Sequence, residues 1–120
     1  MSQPSIFETE IRDTTIIVAP RGDVSTLAGE DVHAELPGLL DQLQKSEIKH
    51  VVFDLKRASY FGSILLGAMS AMWGRIRARG GKMAVCNVSD TGKEILHVSK
   101  FDTLWPVCDS REEALKTVLE

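Results

Sequence analysis

The chain has 120 residues, 43% of them hydrophobic and 26% charged, with 14 Lys and Arg against 17 Asp and Glu for a net charge of −3. That length is one domain's worth, with interior enough to fold without disulfide or metal staples, and the composition excludes a disordered or fibrous chain. The slight acidity leaves no broad basic field for nucleic acid, and no apolar run approaches the roughly 20 residues of a membrane-spanning helix. Met1-Ser2-Gln3-Pro4 shows no basic stretch followed by an apolar one, so no secretory signal is expected. The expectation is a single cytoplasmic domain over residues 1–120, without membrane insertion.

In chain order, residues 6–11 and 15–20 are β-branched runs parted by Arg12-Asp13-Thr14, and they read as an opening hairpin. Pro20 cannot donate to a ladder and closes the second strand. Gly22-Asp23-Val24-Ser25 follows as a loop, with Ser25 or Thr26 placed to cap a helix. In that helix Val32, Leu36, Leu39, Leu40 and Leu43 recur at helical spacing. Pro37-Gly38 falls inside it. A proline clashes with the preceding turn and lacks an N–H, which predicts a kink or two short helices.

His50 to Leu55 is a nearly continuous apolar run, the pattern of a central buried strand. A second helix is predicted over Ser63 to Ala78, where Leu65, Met69, Met72 and Ile76 form one stripe. Arg79-Gly80-Gly81 ends it, and Lys82 to Val88 makes the next strand. Ser89 or Thr91 caps a third helix carrying Ile95, Leu96 and Val98. The proline in Leu104-Trp105-Pro106-Val107 confines that short strand to a sheet edge. Ser110-Arg111-Glu112-Glu113 reads as a capping box in which each side chain serves a backbone donor of the other residue. The last helix then packs Ala114, Leu115, Val118 and Leu119. The order β-β-α-β-α-β-α-β-α predicts an α/β two-layer sandwich, a mixed sheet of about five strands with helices packed on it.

Catalytic templates fail along this chain. Cys86 and Cys108 belong to no CxxC pair and no zinc-spaced cluster, so they read as free thiols in a reducing compartment, a disulfide being the alternative, and no metal or cofactor is expected. His33, His50 and His97 have no nucleophile or second ligand at a mechanistic spacing, which leaves surface or helix-packing roles. Gly62 to Gly67 has neither the Lys-Ser/Thr of a phosphate loop nor the glycine order of a dinucleotide site. Asp54 reads as a solvated strand-end carboxylate. Arg75, Arg77 and Arg79 complement the negative end of their helix, or else meet an acidic patch on a partner. Met69 and Met72 follow the core spacing, and with Trp73 they read as core rather than as a cofactor box.

One feature passes this sieve. After the buried strand, Ala58-Ser59-Tyr60-Phe61-Gly62-Ser63 places small residues and a hydroxyl where an apolar helix starts. Unpaired N–H groups and the positive dipole end favour an anion there, including a phosphorylated hydroxyl; an N-cap role for the serine is the plain alternative.

From about Thr15 to Leu119 the chain resembles the STAS family of anti-sigma factor antagonists and cytoplasmic domains of sulfate transporters. The resemblance rests on Gly22-Asp23-Val24-Ser25, Val51-Val52-Phe53-Asp54-Leu55 and Tyr60-Phe61-Gly62-Ser63-Ile64-Leu65-Leu66-Gly67-Ala68. It continues through residues 80–89, Phe101 and Ser110-Arg111-Glu112-Glu113-Ala114-Leu115. It implies a cytoplasmic, non-catalytic binding module whose partner is an anti-sigma factor of serine-kinase type. In typical antagonists that kinase phosphorylates a Ser or Thr at the start of the second helix, within D-S-[ST]-G-L-G, and so abolishes binding. Here Gly62 stands where the Asp is expected, Ser63 matches the first hydroxyl residue, Ile64 occupies the usual acceptor position and Leu65 replaces the following Gly. Ser25 likewise stands where an acid is common.

The expected function is therefore partner binding without the ordinary phosphorylation switch. The surface predicted for it joins Val24, Ser25 and Thr26 to Gly62, Ser63 and Ile64, with Ser63 the candidate phosphorylation site. A signalling scaffold and a cytoplasmic accessory subunit of a transport system are the alternatives.

Overall fold

The computed structural model describes residues 6–21, 29–45, 47–58 and 61–120. Strands β1 (Phe7–Arg12) and β2 (Thr15–Pro20) form the antiparallel hairpin, turning at Asp13, whose φ of 54° a short polar residue tolerates. Helix α1 (Gly29–Leu43) leads to β3 (His50–Asp54), α2 (Ser63–Ala78) to β4 (Met83–Cys86), and α3 (Asp90–Val98) with a short 3-10 helix (Phe101–Thr103) to β5 (Val107–Cys108). Helix α4 (Arg111–Leu119) follows. The five strands lie in sequence order, β2 to β5 all parallel, so the mixed α/β sheet expected from the sequence is present.

Strand side chains alternate, and the sheet divides its residues accordingly. Ile16, Val18, Val51, Phe53, Met83 and Val85 face one side, where Val32, Leu39 and Leu43 of α1, Leu96 of α3 and the Leu65-Met69-Met72-Ile76 stripe of α2 close over them. Ile17, Val52, Ala84, Cys86 and Cys108 face the other, where α4 covers them with Ala114 and Val118. The last helix thus adds a partial cover on the face opposite the main helix layer.

Several local expectations are corrected. A single helix α1 runs through Pro37 rather than two. Pro37, Gly38 and the His33 turn whose carbonyl loses its donor are all exposed, so the freed carbonyl is open to solvent and its lost hydrogen bond costs little. The strand expected over 82–88 is limited to Met83–Cys86, because Asn87 adopts a left-handed φ of 56°. The edge strand is Val107–Cys108 and not 104–107. Trp105 instead stacks on Phe101 with ring centroids 4.6 Å apart and is fully buried. Val98 and Leu119, expected in the core, are 75% and 65% exposed. In the last capping motif Ser110 Oγ accepts from Glu113 N–H at 3.1 Å, but the Glu113 carboxylate serves Asp109 N–H rather than Ser110.

Candidate functional site

The chain leaves β3 through a short turn in which Leu55 N–H donates to Cys86 C=O (3.0 Å) and Ala58 N–H to Leu55 C=O (3.1 Å). Phe61 is buried beside α3, close enough that a methyl group on Gly92 would lie 3.1 Å from its ring. Helix α2 starts from this anchor. Gly62 is its N-cap in extended conformation, no side chain caps the first turn, and no acid neutralises the dipole there. The N-cap reading of Ser63 is therefore wrong: Ser63 is the first residue inside the helix, and its side chain is exposed.

Successive helix positions are about 100° apart, and that rotation sorts Ser63, Ile64 and Leu65. Leu65 turns inward and is buried, so it serves the core. Ile64 turns outward and is 40% exposed. Gly62, Ser63 and Ile64 form one uncharged surface turn. Val24, Ser25 and Thr26, the other half of the predicted surface, lie outside the described residues.

On the opposite face of the sheet, a polar cleft of about 770 Å³ opens at the carboxyl ends of β3 and β4, beside the first turn of α4. Its floor corrects the reading of Asp54, which is not solvated but only 5% exposed. Its Oδ1 accepts from Lys56 N–H (3.0 Å) and Asn87 Nδ2 (3.1 Å), and its Oδ2 from Arg111 Nε (3.0 Å). At the rim Arg57 pairs with Glu8 and Arg111 with Glu10, each at 3.3 Å. Most of the charges around this cleft are paired: Arg57 with Glu8, Arg12 and Arg111 with Glu10, and Arg111 with Asp54.

The remaining candidates fall to the fold. His33 is exposed, His50 Nδ1 accepts from Lys82 N–H at 3.1 Å, and His97 Nδ1 lies 2.9 Å from the carboxylate of Asp102 at the surface. Among the described residues no group of three His, Cys, Asp or Glu could hold a metal. Arg79 donates to the C=O groups of Leu43 and Lys45, closing the carbonyl end of α1; Arg75 and Arg77 stay exposed. Cys86 and Cys108 are both buried free thiols. No helix among the described residues is long and apolar enough to cross a membrane.

This architecture, a mixed five-stranded sheet with helices packed on it, has counterparts among known proteins. Residues 7–114 match the STAS domain family. BtrV of Bordetella bronchiseptica, designated an anti-sigma factor antagonist, is 30% identical over 102 residues, covering 85% of this chain and 84% of that one. The anti-sigma F factor antagonist of Paenibacillus polymyxa is 26% identical over 109 residues, 91% of each chain. The solved structure of an anti-sigma-factor antagonist (STAS) domain protein from Planctomyces limnophilus shares the fold, with a TM-score of 0.80 over 95% of this chain and 98% of that one at 22% identity. The chain belongs to the STAS domain family, and its relatives carry the name of anti-sigma factor antagonists.

Proposed function

We propose that this protein is an antagonist-type binding module of a single cytoplasmic domain, without catalysis of its own. It captures an anti-sigma factor of serine-kinase type, or a related regulator, through the first turn of α2, without the usual phosphorylation switch. The observation that carries this reading is Ile64, a large aliphatic side chain held 40% exposed at the uncapped start of α2. An isoleucine there adds nothing to the core, whereas its full burial against a partner is worth about 1.5–3 kcal/mol. Gly62 and Ser63 flank it without charge, so the turn offers apolar contact and open backbone N–H groups together. Val24, Ser25 and Thr26 complete the surface in this reading. The names borne by the relatives support an anti-sigma factor as the partner.

The test is capture from extract of the source bacterium with tagged wild-type protein and the Ile64→Asp variant, read by mass spectrometry. A histidine-kinase-like anti-sigma ATPase enriched by the wild type and lost by Ile64→Asp is the expected result. Equal recovery by both proteins overturns the assignment of the face.

A further inference from the structure

We infer that Cys86 and Cys108 form a latent dithiol, a site of reversible oxidation to an intramolecular disulfide that is reachable only when α4 lifts from the sheet. The two residues are direct register partners on neighbouring parallel strands, β4 and β5. Such neighbours lie about 4.8 Å apart, within the Cα separations that disulfides span. Both side chains project to the same face, into the cluster closed by Ala114 and Val118 of α4. Cys108 Sγ sits 3.6 Å from Thr117 Oγ1 of that helix.

While α4 is seated the pair is inert. Both thiols are buried, and burial first, then the charge of Asp54, pushes Cys86 up to about 12, leaving almost no thiolate. The cover is thin, however: one helix of nine residues, fastened at its start by the Ser110 cap and the Arg111–Asp54 pair. A short helix seated on one small cluster opens locally far more often than the whole chain unfolds. Once the thiols meet solvent, a peroxide supplies the oxidant. A cysteine thiolate attacks one peroxide oxygen and the O–O bond breaks, giving a sulfenic acid and one water. The second thiol then attacks the sulfenic sulfur, the S–S bond forms, and the hydroxyl leaves as a second water. Two electrons pass from the sulfurs to the peroxide. The bond forms on the face opposite the Ile64 turn, so it fastens the sheet edge and leaves that turn alone.

The experiment treats the purified protein with dilute hydrogen peroxide, traps remaining thiols with N-ethylmaleimide, and reads intact mass with and without dithiothreitol. The expected product is a monomer that has lost two hydrogens and regains them on reduction. Ser110→Ala, which removes the cap but no core contact, should speed its formation about fivefold. Arg111→Ala should speed it further if that variant folds. Sulfinic acid on one cysteine, disulfide-linked dimers, or a Ser110→Ala rate equal to the wild type would each overturn the inference.

Discussion

Arg111, the first residue of α4, places both Nε and Nη2 3.0 Å from one oxygen of Asp54, the last residue of β3. This contact ties the C-terminal helix to the end of the central strand, across 57 residues of sequence. Asp54 is the one buried ionisable residue besides the cysteines among the described residues, and its other oxygen takes Asn87 and the Lys56 N–H. Removing the guanidinium leaves a desolvated carboxylate with neutral donors only. Arg111→Ala should therefore cost about 3 kcal/mol in urea unfolding. Arg111→Lys should recover only part of that, since an ammonium cannot present two donors in a fixed plane.

The core and the proposed binding turn respond oppositely to truncation. Phe53 is fully buried in the helix-side core, so Phe53→Ala should lose about 3–5 kcal/mol. Ile64→Ala, eleven positions on but at the surface, should change stability by less than about 0.5 kcal/mol. Chemical denaturation of both variants checks the pair.

Two adjacent glycines end α2 for different reasons. Gly80 has φ of 78° and open space around it, so Gly80→Ala should cost only the left-handed strain of about 1–2 kcal/mol. At Gly81 a methyl group would lie 1.7 Å from the carbonyl oxygen of Lys49, whose own N–H is fixed to Thr14 C=O at 2.7 Å. Backbone must move there. Gly81→Ala should be the more damaging of the two in thermal unfolding, with faster hydrogen exchange at the start of β3.

His50 supplies a pH dependence. Burial first, and then the charges of Lys82 and Lys49, hold its pKa below the usual 6.5, and its Nδ1 is occupied as an acceptor from Lys82 N–H. The unfolded chain therefore takes up this proton before the folded one does. The stabilisation is present above the unfolded value and is lost as pH falls through about 6.5 toward the folded value. Unfolding free energy measured from about pH 7 to 5 should fall less steeply in His50→Gln than in the wild type.

Much of this was legible in the sequence where one periodicity governs one element. The Leu65-Met69-Met72-Ile76 stripe and the bounds of α2 follow from apolar spacing, and the outward turn of Ile64 is implied once Leu65 belongs to the core. Legibility failed where tertiary partners decide. Pro37 looked like a break because its solvent-facing position, which makes the lost hydrogen bond cheap, is invisible in one dimension. Val98 follows the third helix's apolar pattern yet faces outward and is 75% exposed. The burial of Asp54 depends on Arg111 and Asn87, residues that only the parallel order of β3 and β4 and the seat of α4 bring to it. At the site itself, the apolar turn could be read, but the shift of the N-cap from Ser63 to Gly62 is set by the chain's path from the buried Phe61.

The central claim is that the Ile64 turn binds its partner permanently, by apolar contact, rather than through a phosphate cycle. The direct measurement is a binding titration with the proposed anti-sigma kinase, with and without ATP, paired with intact-mass analysis of this protein. A phosphate would add about −1.5 to −2 charges to this turn and oppose the contact. The account predicts the same affinity with and without ATP, no mass gain, little effect of Ser63→Ala, and clear weakening by Ile64→Asp. A mass gain of one phosphate mapped to Ser63, with binding lost at the same time, would contradict it and make Ser63 the switch.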